Sequence, residues 1–347
     1  MVNSKLPFMK GDPSTITTYD PQSTIYNPPS THCPRQQNGT EEETLDWLNR
    51  LVVLGVPLVP KTLVRRVSSR YIAGDKIEDA VRVVRDLNQR GMMATLDLLG
   101  EFITLREEAT ATADEYIQAL ETIHQEKLDS NVSIKLTAFG LKLDFNFCLA
   151  NVRRVVARAK ELSNFVRIDM EDSSCTSDTL RIYDLMRREF TNVGTVVQAY
   201  MRRAILDIRQ LMANGQPTNL RLCKGIYVEP RNIAYKNREL INKNFTFLLN
   251  ELIRHGAYAA IATHDERLVW DGVRLVDELK LPKTSYEFQM LLGVDEELRN
   301  FIVNSGHRLR VYVPYGKQWY AYAVRRLQEN PQIAGYVIQN FLGLRQA

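Results

Sequence analysis

Eight short apolar runs, separated by longer amphipathic stretches, dominate the sequence from residue 92 onward. The runs lie at 92–98, 132–136, 165–170, 193–199, 219–223, 257–262, 285–289 and 308–313. Helix-like segments lie between them, with clear examples at 177–190, 232–255 and 266–280. Because parallel strands need long connections, strands that alternate with helices predict an α/β fold with a parallel sheet.

Two architectures are compatible with this alternation. Eight units over about 250 residues favour a (βα)8 TIM-like barrel. An open doubly wound sheet is the alternative, since counting short apolar runs is error-prone. The sequence contains no Gly-x-Gly, so the glycine-rich dinucleotide-binding turn of many open sheets is absent.

The composition is that of an ordinary globular protein, with 347 residues, 44% hydrophobic and 25% charged residues, and a net charge of +4. It excludes a wholly disordered chain and a coiled-coil rod. The weak net charge gives no support to nucleic-acid binding. No stretch approaches the roughly 20 apolar residues that span a bilayer, and no export signal is visible, so we expect a cytoplasmic protein.

The first 90 residues differ from the rest. Residues 1–40 hold six prolines and ten serines or threonines, with few aliphatic side chains, and we predict a disordered tail there. Residues 41–91 are predicted to form N-terminal helices, at 41–54, 61–72 and 76–90. The remainder, 92–347, is assigned to the barrel and its C-terminal helices.

Polar side chains lie at or near the end of every predicted strand, where barrel enzymes place their catalytic groups. They are Asp97, Glu101, Lys135, Asp169, Glu171, Gln198, Arg221, Lys224, Thr263, His264, Asp265, Glu287, Gln289 and Tyr312. Inward polar groups must be hydrogen-bonded, since an unsatisfied one costs roughly 1–3 kcal/mol. These groups could merely neutralise one another, but a ring of them on all eight strands favours a functional site.

Two adjacent arginines stand out in the segment 317–330. Tyr322, Arg325, Arg326 and Glu329 share one helical face. Two guanidinium groups on one face can hold a carboxylate by charge-assisted, bidentate hydrogen bonds. A solvated helix face is the competing interpretation, since Arg-Arg pairs occur at four other places in the chain.

The sequence predicts no metal site. The four cysteines form no Cys-x-x-Cys pair, and no two of the five histidines stand four residues apart. No Gly-x-Ser-x-Gly turn and no phosphate-binding loop occur, so serine hydrolysis and phosphoryl transfer are poor interpretations.

Six segments together resemble proline dehydrogenases, the flavin domain also found in bifunctional proline utilization proteins. They are FVRIDMED at 165–172, LRLCKGIY at 220–227, ATHD at 262–265, YEFQMLLG at 286–293, VYVPYG at 311–316 and YAVRRLQEN at 322–330. The resemblance runs from about residue 45 to the C-terminus, in the family's order.

The resemblance implies a distorted (βα)8 barrel, non-covalently bound FAD and oxidation of L-proline to 1-pyrroline-5-carboxylate, the first step of proline catabolism to glutamate. It implies that a hydride passes from proline C5 to flavin N5. It also implies a quinone as electron acceptor, hence transient contact with a membrane surface, peripheral at the inner membrane. No metal and no nucleic acid are implied.

The family's site residues carry over onto matching positions. Its carboxylate-binding lysine matches Lys135, and its paired arginines match Arg325 and Arg326. Asp169 is expected to hydrogen-bond Tyr312 or an arginine and to order the pocket, and Arg221 is expected near the flavin N5. Other matches are Tyr322 facing the substrate, flavin contacts at Met170, Gln198, Lys224, Gly225, Ile226, Thr263 and His264, and Glu101 as a gate that pairs with an arginine of the last helix.

The sequence departs from the family's pattern at Cys223 and Ile226, and the larger Ile226 could reshape the flavin contact. Two other functions stay open on sequence grounds. A barrel lyase could form a Schiff base through Lys135 or Lys224. A barrel that binds a ligand without turnover would belong to another class.

Overall fold

The structure is a computed structural model that describes residue 65 and residues 69–100, 103–213, 215–320 and 322–324. All of them belong to the second of two compact units, Leu48–Ala347. The predicted tail at 1–40 and the predicted helix at 41–54 lie outside the described residues, so the proposed domain boundaries stay predictions. The helix predicted at 61–72 extends too far, because residues 69–71 form a turn.

Eight parallel strands close into a barrel, each paired with the next along the chain and the last with the first. They are β1 (Met93–Leu98), β2 (Ser130–Ile134), β3 (Val166–Ile168), β4 (Val193–Gln198), β5 (Asn219–Cys223), β6 (Tyr258–Ala262), β7 (Tyr286–Leu291) and β8 (Leu309–Tyr315). Every apolar run identified in the sequence contributes a strand. The (βα)8 prediction is therefore confirmed, and the open sheet is excluded.

Besides the helical residue 65, one helix precedes the barrel and seven connect its strands in the described part of the chain. They are α1 (Ile77–Gln89), α2 (Arg106–Gln125), α3 (Phe145–Glu161), α4 (Ser173–Glu189), α5 (Ala204–Ala213), α6 (Arg238–Arg254), α7 (Glu266–Glu278) and α8 (Glu296–Asn304). Short 3-10 helices lie at Leu136–Phe139 and Lys283–Ser285. After β8, residues 319, 320 and 322–324 are helical, as predicted for that segment.

Acidic or amide side chains begin five of these helices. Each accepts a hydrogen bond from a backbone N–H of the first turn, which would otherwise lack a partner. The capping residues are Asp144, Asp172, Asn237, Asp265 and Asp295. Because Asp172 and Asp265 come soon after β3 and β6, their caps also position the backbone at the carboxyl ends of these strands.

The strands divide their side chains between two environments, as a period of two requires. Apolar residues such as Leu96, Ile134 and Ile168 are completely buried in the hydrophobic core. Alternate residues hydrogen-bond to one another across the barrel, as Arg221 does with Asp169. The barrel interior is therefore polar and charged rather than filled with branched aliphatic side chains, which are usual in such barrels.

Candidate active site

A cavity of about 540 Å³ opens at the carboxyl ends of the strands. Most of the predicted site residues line it: Lys135, Asp169, Met170, Gln198, Arg221, Lys224, Gly225, Ile226, Thr263, His264, Tyr312 and Tyr322. Arg325, Arg326 and Glu101 lie outside the described residues. The closed barrel thus brings together residues that are nearly 190 positions apart along the chain, from Lys135 to Tyr322.

A second cavity, of about 890 Å³, opens at the opposite end of the barrel. Arg167, Asn219 and Arg310 are among the residues that line it. Glu287 lines it too, because it is the second residue of β7 and so lies at the amino end of that strand, not near its carboxyl end as expected. Because catalytic groups of barrel enzymes lie at the carboxyl ends of the strands, the smaller cavity is the candidate site.

Asp169 is the centre of a buried hydrogen-bond network. Its Oδ1 accepts hydrogen bonds of 2.6 Å from Arg221 Nη1 and 2.6 Å from Ser133 Oγ, and its Oδ2 accepts one of 2.8 Å from the Tyr312 hydroxyl. The expectation that Asp169 bonds to Tyr312 or an arginine is met by both at once. Three donors from β2, β5 and β8 leave this carboxylate little freedom to move.

Arg221 is held on two sides. Besides its ion pair with Asp169, its Nε donates to Oε1 of Gln289, and its guanidinium lies 5.3 Å from the ring centroid of Tyr312. Its Nη2 is buried and has no hydrogen-bond partner. A buried guanidinium nitrogen without an acceptor is costly, so this atom is suited to a ligand in the cavity.

Tyr312 is a neutral hydrogen-bond donor. Burial, and then the negative charges of Asp169 and Asp97, raise its pKa well above the usual value for tyrosine. The phenol therefore stays protonated near neutral pH, and it cannot serve there as a base.

Lys135 is paired with an aspartate that the sequence analysis did not assign to the site. It lies directly after β2, at the start of the 3-10 helix Leu136–Phe139, and not within the strand as predicted. Its Nζ donates to Oδ1 of Asp97. Burial raises the pKa of Asp97, although the charge of Lys135 opposes this. When Asp97 is ionised, its negative charge makes the local positive charge smaller than a lone lysine would supply.

Lys224, Thr263 and His264 form a second wall of the cavity. Lys224 Nζ donates a hydrogen bond of 2.6 Å to Oδ2 of Asp265, and His264 Nε2 accepts one of 2.8 Å from the backbone N–H of Leu291. Burial alone would raise the pKa of Asp265, but the bond from Lys224 and its charge lower it. These contacts join the ends of β5, β6 and β7.

The remaining predicted flavin contacts give the cavity a largely apolar wall. Met170 is buried, as is Gln198, which donates a hydrogen bond of 3.3 Å to the carbonyl oxygen of Met170 and whose Oε1 has no partner. Ile226 is 41% exposed and lies at the rim. Gly225 has φ +101°, and a Cβ there would lie 2.2 Å from the ring of Tyr200, so this position requires glycine.

The departures at Cys223 and Ile226 leave the hydrogen-bond network intact. Burial raises the pKa of the Cys223 thiol to about 11, so it is a neutral, weakly polar group near pH 7. Neither side chain contacts Asp169 through a hydrogen bond in the described contacts. Both change only the shape of the cavity wall.

Three residues of the network were missed in the sequence. Asp97 and Gln289 were noted as polar residues near strand ends without a place in the site, and Ser133 was not noted. The alternation along β2 could have found Ser133, because it lies two residues before Lys135 and so faces the same side.

The described residues contain neither a candidate metal centre nor a candidate membrane span. No group of three or more His, Cys, Asp or Glu side chains among them could hold a metal ion. None of their helices is long and apolar enough to cross a membrane.

Comparisons with known proteins agree on one family. The model of the family described as proline dehydrogenase matches residues 80–339. The chain is 40% identical over 273 residues to Proline dehydrogenase 1 of Bacillus subtilis subsp. natto, which covers 79% of this chain and 90% of that one. It is 38% identical over 309 residues to the Proline dehydrogenase of Deinococcus radiodurans, covering 86% and 99%.

A solved structure has the same fold. Proline utilization A (PutA) from Bdellovibrio bacteriovorus, inactivated by N-propargylglycine, superposes with a TM-score of 0.72 at 26% identity. The match covers 81% of this chain and 34% of that one, so the present chain spans about a third of its length.

Proposed function

Because this chain belongs to the proline dehydrogenase family, and is thus an oxidoreductase of proline catabolism, we propose that its cavity binds a flavin and oxidises L-proline. The cavity at the carboxyl ends of the strands holds non-covalently bound FAD. In this site L-proline would be oxidised to 1-pyrroline-5-carboxylate, with the flavin as the oxidant.

The observation that carries the flavin proposal is a pair of buried polar atoms without partners. Arg221 Nη2 and Gln198 Oε1 belong to two residues that line the cavity, whose other walls include Met170, Val196 and Met290. A flat, mostly apolar ring system with donors and acceptors at its edge would fill such a wall and satisfy both atoms. The residues present therefore fit an isoalloxazine.

The substrate is bound by its carboxylate. Lys135 supplies one charge-assisted hydrogen bond, and the sequence places Arg325 and Arg326 in the helix that follows β8. Asp97 holds Lys135 in place while its own charge limits the net attraction. Fixing the carboxylate orients the ring, which converts binding energy into a reactive geometry.

The described residues hold protons rather than remove them. Proline must be bound with a neutral amine, because the nitrogen lone pair stabilises the developing iminium. Tyr312 stays protonated, and Asp169 is occupied by three donors, so neither is arranged to accept the amine proton. When bound, the flavin would accept the hydride that leaves C5. Arg221, with its free Nη2, stabilises negative charge that develops in the cavity.

A lyase that uses a Schiff base is disfavoured by the lysine contacts. Lys135 and Lys224 each donate to a carboxylate, Asp97 and Asp265. A carboxylate at hydrogen-bond distance stabilises the ammonium form, whereas a Schiff base requires the neutral amine. Trapping of a substrate on either lysine by borohydride would reverse this choice.

The decisive experiment is spectroscopic. The purified protein should carry a visible flavin absorption band, and the band should bleach anaerobically on addition of L-proline. A colourless protein would contradict FAD binding. A band that L-proline leaves unchanged would indicate a barrel that binds flavin without turnover.

Two finer proposals concern the substrate and the acceptor. Tyr322 lines the cavity and would crowd a ring hydroxyl, so kcat/KM should be higher for L-proline than for hydroxyproline. We also propose a quinone as the electron acceptor, reached through transient contact with a membrane surface. Oxidation of the proline-reduced enzyme by a soluble quinone, measured by return of the flavin band, tests this.

A further inference from the structure

Arg221 is oriented by two contacts that act at different atoms. Asp169 accepts from its Nη1, and Gln289 accepts from its Nε, which leaves Nη2 as the guanidinium nitrogen without a protein partner. Its other hydrogen bonds, to Asp169 and, at 3.5 Å, to Ser133 Oγ, both start at Nη1, so without Gln289 the guanidinium could rotate about that atom. The acceptor on Nε is what fixes the direction of Nη2.

The amide of Gln289 has one orientation that satisfies both of its neighbours. Its Nε2 donates to Oε1 of Glu287, while its Oε1 accepts from Arg221. A flipped amide would direct Oε1 at a carboxylate oxygen and its NH2 group at an N–H of Arg221. Both contacts would then be repulsive, so the ionised Glu287 determines that Gln289 presents an acceptor to Arg221.

The Glu287 carboxylate is itself held in place by donors other than Gln289. Its Oε1 accepts a hydrogen bond of 2.9 Å from Arg310 Nε, and its Oε2 accepts one of 2.9 Å from the Tyr258 hydroxyl. Arg310 in turn donates 2.7 Å to the carbonyl oxygen of Ala94. Glu287 is 2% exposed, and these charges hold its pKa at about 2 although burial would raise it. It is therefore an anion throughout the physiological range.

We propose that Glu287 and Gln289 are positioning residues for the reaction: Glu287 orients the Gln289 amide, whose oxygen directs Nη2 of Arg221 toward the flavin. The inference rests on the proposed function, because it assigns the cavity to FAD. It gives a functional reason for the hydrogen-bonded side chains of Arg221, Gln289 and Glu287, which are all buried inside the barrel. Gln289 lines the cavity, whereas Glu287 does not.

The principal test replaces Gln289 by a side chain of similar volume that cannot accept a strong hydrogen bond. Gln289→Met should keep its flavin, measured as the ratio of flavin to protein absorbance. The two-electron reduction of its flavin should become about 10-fold less favourable, a fall in midpoint potential of about 30 mV. The value of kcat should fall about 10-fold, with KM for L-proline changed less than about threefold.

A second variant covers the possibility that Gln289→Met does not fold. Glu287→Gln keeps the volume and the hydrogen-bonding capacity but no longer dictates the Gln289 amide. It should shift the potential and kcat in the same direction by a smaller factor. The matched control is Thr95→Val, which removes another buried hydrogen bond of the barrel interior, to Asn131, and should leave the potential unchanged.

The outcomes separate this inference from the proposed function. If either variant binds flavin with the wild-type potential and the wild-type kcat, the positioning role is wrong, even though wild-type protein bleaches with proline. If KM rises while kcat and the potential stay constant, these residues serve substrate binding instead, which also overturns it. If wild-type protein carries no flavin, the proposed function itself fails.

Discussion

The hydroxyl of Tyr312 donates a hydrogen bond of 2.8 Å to Oδ2 of Asp169 and so joins β8 to the residue that follows β3. Asp169 comes from the first half of the barrel and Tyr312 from its last strand, 143 positions later. The contact exists only when the barrel is closed. It couples the geometry of the candidate site to closure of the sheet.

Tyr312→Phe should lower kcat/KM for L-proline by about tenfold or more. It removes one hydrogen bond to a charged group, worth about 1.5–3 kcal/mol, while the aromatic ring over Arg221 stays. Steady-state kinetics with an artificial acceptor measure the effect. Tyr286→Phe, which loses a hydrogen bond to His307 of 2.9 Å, is the control and should keep its kcat/KM. Equal losses in the two variants would contradict the prediction.

Lys135→Met should make the free energy of unfolding depend more strongly on pH. Without its lysine, buried Asp97 has a folded-state pKa raised still further above the unfolded value of 3.8. The folded state then binds more protons than the unfolded state, so stability falls as pH rises from about 4 through the folded-state pKa. Urea unfolding between pH 4 and 8 measures this slope relative to wild type.

The double variant Asp97→Asn/Lys135→Met is the control for that slope. It has no carboxylate to titrate at this position, so the added pH dependence should disappear. If the single and double variants show the same slope, Asp97 is not its origin.

Glu287 should contribute stability that acid removes. Its pKa falls from 4.5 to about 2 on folding, because the pairing with Arg310 outweighs burial. Its contribution is therefore fully present above pH 4.5 and is lost as pH falls toward 2, amounting to ~3 kcal/mol. The free energy of unfolding should decline more steeply below pH 4.5 for wild type than for Glu287→Gln. Parallel curves would show that the pKa is not lowered.

Gly225→Ala should damage the cavity wall more than a matched glycine substitution. At Gly225 the φ of +101° and the ring of Tyr200 both oppose a Cβ, whereas Gly215, with φ +65°, has nothing within 4 Å. Gly215→Ala should therefore cost only the backbone strain of about 1–2 kcal/mol. Gly225→Ala should lose more stability and most of its flavin, measured by thermal unfolding and the flavin-to-protein absorbance ratio. Full flavin retention in Gly225→Ala would contradict its place in the wall.

Arg326→Met should raise KM for L-proline strongly, by removing one charge-assisted bond to the substrate carboxylate. This prediction comes from the sequence, since Arg326 lies outside the described residues. Arg188→Met is the matched control, because Arg188 is an exposed arginine of α4 that pairs with Asp184. Only the Arg326 variant should change KM, and an unchanged value would remove this residue from the substrate clamp.

Much of the fold could be predicted from the sequence, because strands and helices depend on local patterns of apolar residues. Apolar runs predicted all eight strands within a few residues. A strand that is buried on both faces has a nearly continuous apolar sequence, which can be recognised without knowing its neighbours in the sheet. The end of the helix predicted at 61–72 was misplaced, because apolar spacing there gave no stop signal before the turn at 69–71. The position of Lys135 was off by one residue for a similar reason: strand ends are the least reliable part of such a prediction.

The sequence alone therefore determined the order of elements and most of the polar side chains at the carboxyl ends of the strands. Only the tertiary structure decided which of these groups bind one another, as with Lys135 and Asp97 or Arg221 and Gln289. The physical reason is that such partners come from strands 38 and 68 residues apart. The stagger of a closed barrel, which no local pattern encodes, sets their relative heights.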